Sequence, residues 1–216
     1  MQTKRETRTA RGLELREAPK DSGLLGVLVG YASVFNSDSL EFDGYERPWV
    51  ERVAPGAFKR SLSENPDVFA LWQHDPAQVI ARAPDTLTLA EDERGLRVEI
   101  GLPDTTTARD LLARVKAKVV DAMSFGFTVK SQKWEEGEQR DLRTLLDVDL
   151  FEVSAVVWPA YPETALAVRS HEEFRKSRQT PPAPPAAAPQ NFQTDHDRER
   201  RFRILQLGSR QPAKTS

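Results

Sequence analysis

Three residues of this 216-residue chain have the types needed to do covalent chemistry together: Ser124, His74 and Glu152. A serine hydroxyl is a weak nucleophile at neutral pH and needs a base beside it. A histidine base in turn needs a third group to hold its tautomer and orientation. Ser124 lies in Asp-Ala-Met-Ser-Phe-Gly-Phe-Thr, residues 121–128. Strand alternation puts Met123, Phe125, Phe127 and Val129 on one face, and Ser124, Gly126, Thr128 and Lys130 on the other. The first face is core. The second reads as open, with Gly126 leaving room for a substrate backbone laid along the strand. The competing reading is an ordinary surface serine, since most serines are exposed.

His74 ends the run Val-Phe-Ala-Leu-Trp-Gln-His, residues 68–74. As a strand, this run puts Val68, Ala70, Trp72 and His74 on one face, so the histidine closes an apolar row. It reads either as a satisfied rim residue or as a base. The other histidines, His171 and His196, fall at the exit from the expected fold and in the tail, so His74 has no competitor as a base. Glu152 lies within the strand-like run Asp-Leu-Phe-Glu-Val-Ser-Ala-Val-Val-Trp, where Leu150, Glu152, Ser154 and Val156 would share a face. A carboxylate in an apolar strand is costly unless paired. It therefore points either to function or to an ion pair with one of the many arginines. Asp75, Asp147 and Asp149 are alternative orienters. The chain order His…Ser…Glu has no diagnostic spacing, because such triads are defined by geometry. The sequence has no G-x-S-x-G elbow, P-loop, H-E-x-x-H or G-x-G-x-x-G motif.

Composition narrows the classes. The length suffices for one ordinary domain with a core, plus tails. The net charge is −2, so no global field favours nucleic acid or an anionic membrane. There is no cysteine, which excludes disulfides, thiol nucleophiles and cysteine-based zinc sites. The three histidines are too scattered for a metal cluster, so neither metal nor cofactor is expected. No apolar run approaches the ~20 residues that span a bilayer. The basic N-terminus lacks the apolar region of a signal peptide. These features describe a soluble chain working in a cytoplasm.

Many short strands with two helices indicate a β-rich, barrel-like α+β domain. Pro55 opens a short helix in Pro-Gly-Ala-Phe-Lys-Arg-Ser-Leu. The best helix starts at the threonines 105–107, which can cap it, and carries Leu111, Leu112, Val115 and Val119 at helical spacing. The expected organisation is a loose N-terminal segment over 1–12 and a folded domain over 13–170. A charged exit and Pro/Ala-rich linker follow over 171–190, then a basic, disordered tail over 191–216.

Five stretches, in order, carry a family resemblance: Gly-Tyr-Ala-Ser-Val-Phe-Asn-Ser (30–37), Glu-Arg-Val-Ala-Pro-Gly-Ala-Phe-Lys-Arg-Ser-Leu (51–62), Ala-Leu-Trp-Gln-His-Asp (70–75), Met-Ser-Phe-Gly-Phe (123–127) and the run beginning Leu-Phe-Glu-Val-Ser (150–154). Together, over residues 12–170, they resemble the HK97-type prohead proteases of tailed bacteriophages. That family is related in fold to the herpesvirus maturational proteases. The resemblance implies a serine endopeptidase inside the immature capsid in the host cytoplasm. Its substrates would be scaffold protein, scaffolding segments of the major capsid protein, and itself. It implies His74 as general base, Ser124 as nucleophile and Glu152 as orienter, a carboxylate where the herpesvirus relatives use a second histidine. Those relatives act as dimers, so a homodimer is the implied assembly, although no dimer face is legible. Oxyanion donors are sought among backbone N–H groups at the helix–strand junction around Ala122, or on the backbone of an arginine. The tail would tether the enzyme to scaffold or serve as a self-cleavage target. The rival from another class is a catalytically inactive capsid-assembly protein that binds scaffold. An oligonucleotide-binding barrel is disfavoured, because no strand face combines aromatic and basic residues.

Overall fold

The computed structural model describes residues 5–65, 67–157 and 165–179. The linker and tail expected beyond residue 179 lie outside these residues. Among the described residues, ten strands form two sheets. The first is mixed and runs β1 (Glu6–Arg11), β9 (Ala122–Glu135), β10 (Asp141–Val156), β5 (Phe69–Trp72), β6 (Asp75–Arg82), with β4 (Trp49–Val53) also pairing with β10. The second runs β2 (Glu14–Arg16), β3 (Leu24–Val34), β8 (Gly95–Pro103), β7 (Leu87–Glu91), and all its pairs are antiparallel. With α1 (Lys59–Glu64), α2 (Thr106–Lys116) and α3 (Ala165–Gln179), the class is β-rich α+β. The described strands do not close into a single barrel.

The core follows the expected alternation. Met123, Phe125 and Phe127 pack with Leu28, Val98, Ile100, Val148, Leu150, Val153 and the α2 residues Leu111 and Val115. Phe125 meets Phe58 edge-on at 5.3 Å and stacks with Phe127 at 4.9 Å. Thr105 caps α2 by accepting from the Ala108 N–H at 3.2 Å, satisfying one of the orphan donors of the first turn. The helix ends at Lys116, with Lys118 at φ 56°, so Val119 lies beyond it and is exposed.

The N-terminal segment expected to be loose is instead β1, paired in register with β9 from Glu6–Phe127 to Arg11–Ala122. Its alternating charges hid this, because they are satisfied by distant partners. Arg8 binds Glu51 through two nitrogens at 2.6 and 2.8 Å and reaches Glu6 at 2.9 Å. Arg143 reaches Glu6 at 2.8 and 3.0 Å and Glu51 at 2.9 Å. All four residues are buried. Burial alone would push Glu6 up, but hydrogen bonds and charge from Arg143 and Arg8 outweigh it and hold Glu6 below its ordinary value. A buried charge needs such a complete set of partners to be tolerated.

The domain also extends past the expected boundary at residue 170. His171 on α3 is fully buried, bonds Asp141 Oδ2 through Nε2 at 2.8 Å, and lies against Trp49, Trp134 and Phe174. His74 is therefore not the only histidine inside the fold.

Candidate active site

The site is built on β9, β10 and the turn after β5. Ser124 pairs directly with Ser154, and Gly126 with Glu152, across the antiparallel β9–β10 ladder. Directly opposed residues project to the same side, with Cβ atoms about 4.5–5.5 Å apart. Ser124, Gly126, Glu152 and Ser154 thus share one face. The register slips between Leu150 and Glu152, and this bulge matters. It places Leu150 opposite Phe127 and Val153 opposite Phe125, so both join the core. Glu152 turns to the other face. The expected sharing of a face by Leu150 and Glu152 is thereby corrected. Unbroken alternation cannot foresee a bulge, a device that often re-aims a side chain.

Strand β5 stops at Trp72, and His74 belongs to a turn, not to an apolar strand row. Trp72 pairs with Asp75, leaving Gln73 and His74 as a two-residue hairpin loop with φ of 57° and 60°. Both residues occupy the left-handed region, as in the type I′ turns usually made by Asn-Gly. This conformation is unfavourable for side-chain-bearing residues and tends to persist where surroundings enforce it. Here the enforcement is visible. Gln73 N–H donates to the Ala155 carbonyl at 3.1 Å, and His74 N–H donates to Ser154 Oγ at 3.2 Å.

The His74 ring lies 2.6 Å from Glu152 Oε1 through Nδ1. The other carboxylate oxygen, Oε2, accepts from the Ser154 hydroxyl at 2.6 Å. With the carboxylate as acceptor, Nδ1 is the donor, and in the neutral imidazole Nε2 then keeps its lone pair. His74 Nε2 and Ser124 Oγ are buried and have no hydrogen-bond partner among the described residues. The His74 side chain is 24% exposed, and that of Glu152 is 8% exposed. The alternative orienters are engaged elsewhere: Asp75 accepts from the Ala77 N–H, while Asp147 and Asp149 both hold Arg60.

Two expectations about this face change. The face is not open, because Ser124 is fully buried and Thr128 nearly so. Gly126 also has a different use. A Cβ built there would collide with Glu152 Oε1 and stand 3.1 Å from its Cδ, so the missing side chain houses the carboxylate. The cavity of about 290 Å³ beside β1 and β3 is separate, since none of Ser124, His74 or Glu152 lines it. Its charged groups Arg8, Arg11, Glu51 and Asp38 each have an ion-pair partner.

The model of a family described as caudovirus prohead serine protease matches residues 13–177. The chain belongs to that family. The fold is similar to the solved structure of the bacteriophage T4 capsid assembly protease, with a TM-score of 0.52 and 12% identity, over 72% of this chain and 98% of that one. At this identity the likeness is one of fold. No curated protein matches the chain. Within this prohead protease family member, β1 precedes the matched region, and α3 is included up to residue 177.

Sequence reasoning passed over Ser154, which it placed only as a face-mate of Glu152. The available signal was a small hydroxyl two residues along in Glu-Val-Ser, an i, i+2 spacing that strands place side by side. Among the described residues no group of acidic and histidine side chains is arranged to hold a metal. No helix there is long and apolar enough to cross a membrane.

Proposed function

We propose that this chain is a serine endopeptidase of capsid maturation, with Ser124 as nucleophile, His74 as general base and Glu152 as orienter. The observation that carries the reading is the Nδ1–Glu152 bond, which leaves His74 Nε2 as a free acceptor. His74 is tied by its backbone to Ser154, the cross-strand partner of Ser124. In the reaction, His74 Nε2 takes the Ser124 hydroxyl proton as Oγ attacks a peptide carbonyl. Glu152 stabilises the imidazolium. Backbone N–H donors stabilise the oxyanion, usually a large contribution. The imidazolium then protonates the leaving amine, and water attacks the acyl-enzyme with His74 again as base.

Nucleophile and base need not be bonded in the resting form, since such contacts often close only in the Michaelis complex. The burial of Ser124 means that substrate binding must open the surface over β9. The proposed substrates are scaffold protein, scaffolding segments of the coat protein, and the chain itself. The proposed place of action is the immature capsid. Incubating wild type and Ser124→Ala with scaffold and coat protein tests this. Cleavage by wild type alone supports the reading. An assembly protein without catalysis would leave both mixtures uncut while still binding scaffold.

A further inference from the structure

We propose that Ser154 is a positioning residue for the reaction, a fourth member that locks base and orienter together. This inference rests on the assignment of His74 and Glu152 above. Its one hydroxyl serves two groups at once. The proton goes to Glu152 Oε2 at 2.6 Å, and a lone pair accepts the His74 backbone N–H at 3.2 Å. Ser154 is fully buried, so water does not compete for either bond, and a buried bond of this kind keeps its strength.

The two bonds fix different things. The first stops the carboxylate from rotating, so that Oε1 stays on Nδ1 of the ring. The second holds the backbone of a turn whose two residues both have positive φ, a conformation that surroundings must impose. Glu152 is held from the other side by the absence of a side chain at Gly126, where any Cβ would take the place of Oε1. The carboxylate therefore has one seat, framed by Gly126 on β9 and Ser154 on β10. Register explains why a serine can do this. Ser154 stands opposite Ser124, so the residue that braces the base lies one cross-strand pair from the nucleophile.

A structural serine on α1, bound to the same strand β10, provides the control. Ser61 is also buried, and its hydroxyl accepts the Leu150 N–H at 2.8 Å. That bond ends on the Leu150 backbone, at the edge of the bulge that turns Glu152, and touches neither the His74 turn nor the Glu152 carboxylate. Ser154→Ala and Ser61→Ala each remove one buried hydroxyl that supports β10, and their thermal stabilities set the folded fraction for each.

In steady-state cleavage, Ser154→Ala is expected to lower kcat by roughly 10- to 100-fold with little change in KM, the size of effect a small misplacement of a base produces. Ser61→Ala should stay within about threefold of wild type, once corrected for the folded fraction. A second readout needs no activity. In a Ser124→Ala background, NMR of the His74 ring and backbone amide reports the brace directly. Adding Ser154→Ala should shift the Nδ1 proton signal and speed exchange of the His74 amide, while adding Ser61→Ala leaves both unchanged. An unchanged His74 spectrum in the Ser154→Ala protein overturns the proposal. So does a rate loss matched by Ser61→Ala. If the parent protein cuts nothing, the protease reading fails, and the NMR comparison still decides whether Ser154 positions His74.

Discussion

His74 bonds Glu152 at 2.6 Å, and His171 bonds Asp141 at 2.8 Å. The two pairs use the same functional groups, yet their settings are opposite. His74 sits on a strained turn, partly exposed, tied to the serine that faces Ser124 across the ladder. His171 sits in a helix, fully buried, with its ring 5.0 Å from Trp134 and 6.1 Å from Trp49. Its other nitrogen, Nδ1, meets the loop at Gly44, where an added Cβ would stand only 2.6 Å away. A histidine–carboxylate pair becomes a candidate for proton transfer through the surroundings of its second nitrogen. His74 is tied through its backbone to Ser154, which faces Ser124 across the ladder, whereas the second nitrogen of His171 is packed against the loop at Gly44.

The largest test of this contrast is Glu152→Gln. On the proposed reading the amide disturbs the His74 tautomer, and cleavage falls by roughly 10³- to 10⁴-fold, as for an orienting carboxylate in other triads. The folded state, read by circular dichroism, should persist. Asp141→Asn is the matching change at the other pair. It should leave kcat of the folded protein within about threefold, but destabilise it by about 3–5 kcal/mol in urea titration, the usual cost of breaking a buried charged pair, because the buried Asp141 also faces Arg175 at 3.7 Å and Arg47 at 3.8 Å. A rate loss for Asp141→Asn like that of Glu152→Gln would erase the distinction.

Gly126→Ala sharpens the comparison further. The new Cβ must displace the Glu152 carboxylate, so cleavage should fall by about 100-fold. The stability loss should be about 1–3 kcal/mol, typical of overpacking. If activity survives, the seat at Gly126 is not needed for the base. The smallest effect on cleavage concerns Glu6: replacing it leaves the buried Arg8 and Arg143 short of one carboxylate, so its cost falls on stability, about 3–5 kcal/mol, and on the pH dependence of stability. Its carboxyl is held below its ordinary value of 4.5, so the folded state binds fewer protons than the unfolded state in this range. The stability it contributes is complete above about pH 4.5 and is lost as the pH falls through the lowered value. Glu6→Gln should remove that part of the acid sensitivity in urea titrations across this pH range.

The legible parts of the sequence were those written in local pattern. The core face Met123–Phe125–Phe127, the α2 stripe with its threonine cap, and the α+β class follow from periodicity of 2 and 3.6. The rest depends on partners far along the chain. Glu6 and Arg8 look like a solvated segment until Glu51 and Arg143 are brought to them. The bulge before Glu152 reverses a face assignment and leaves no compositional trace. Position along the chain also misled at the C-terminal end, because the charged run around His171 hides a buried contact of histidine and phenylalanine against Trp49 and Trp134.

The most direct measurement is intact mass over time for purified wild type and Ser124→Ala, alone and with scaffold or coat protein added. The account predicts that wild type shortens its own chain or the added protein, while Ser124→Ala stays at 24.3 kDa and cuts nothing. Equal cutting by both proteins would contradict the assignment of Ser124. No cutting by either, with substrate present, would contradict the protease reading itself.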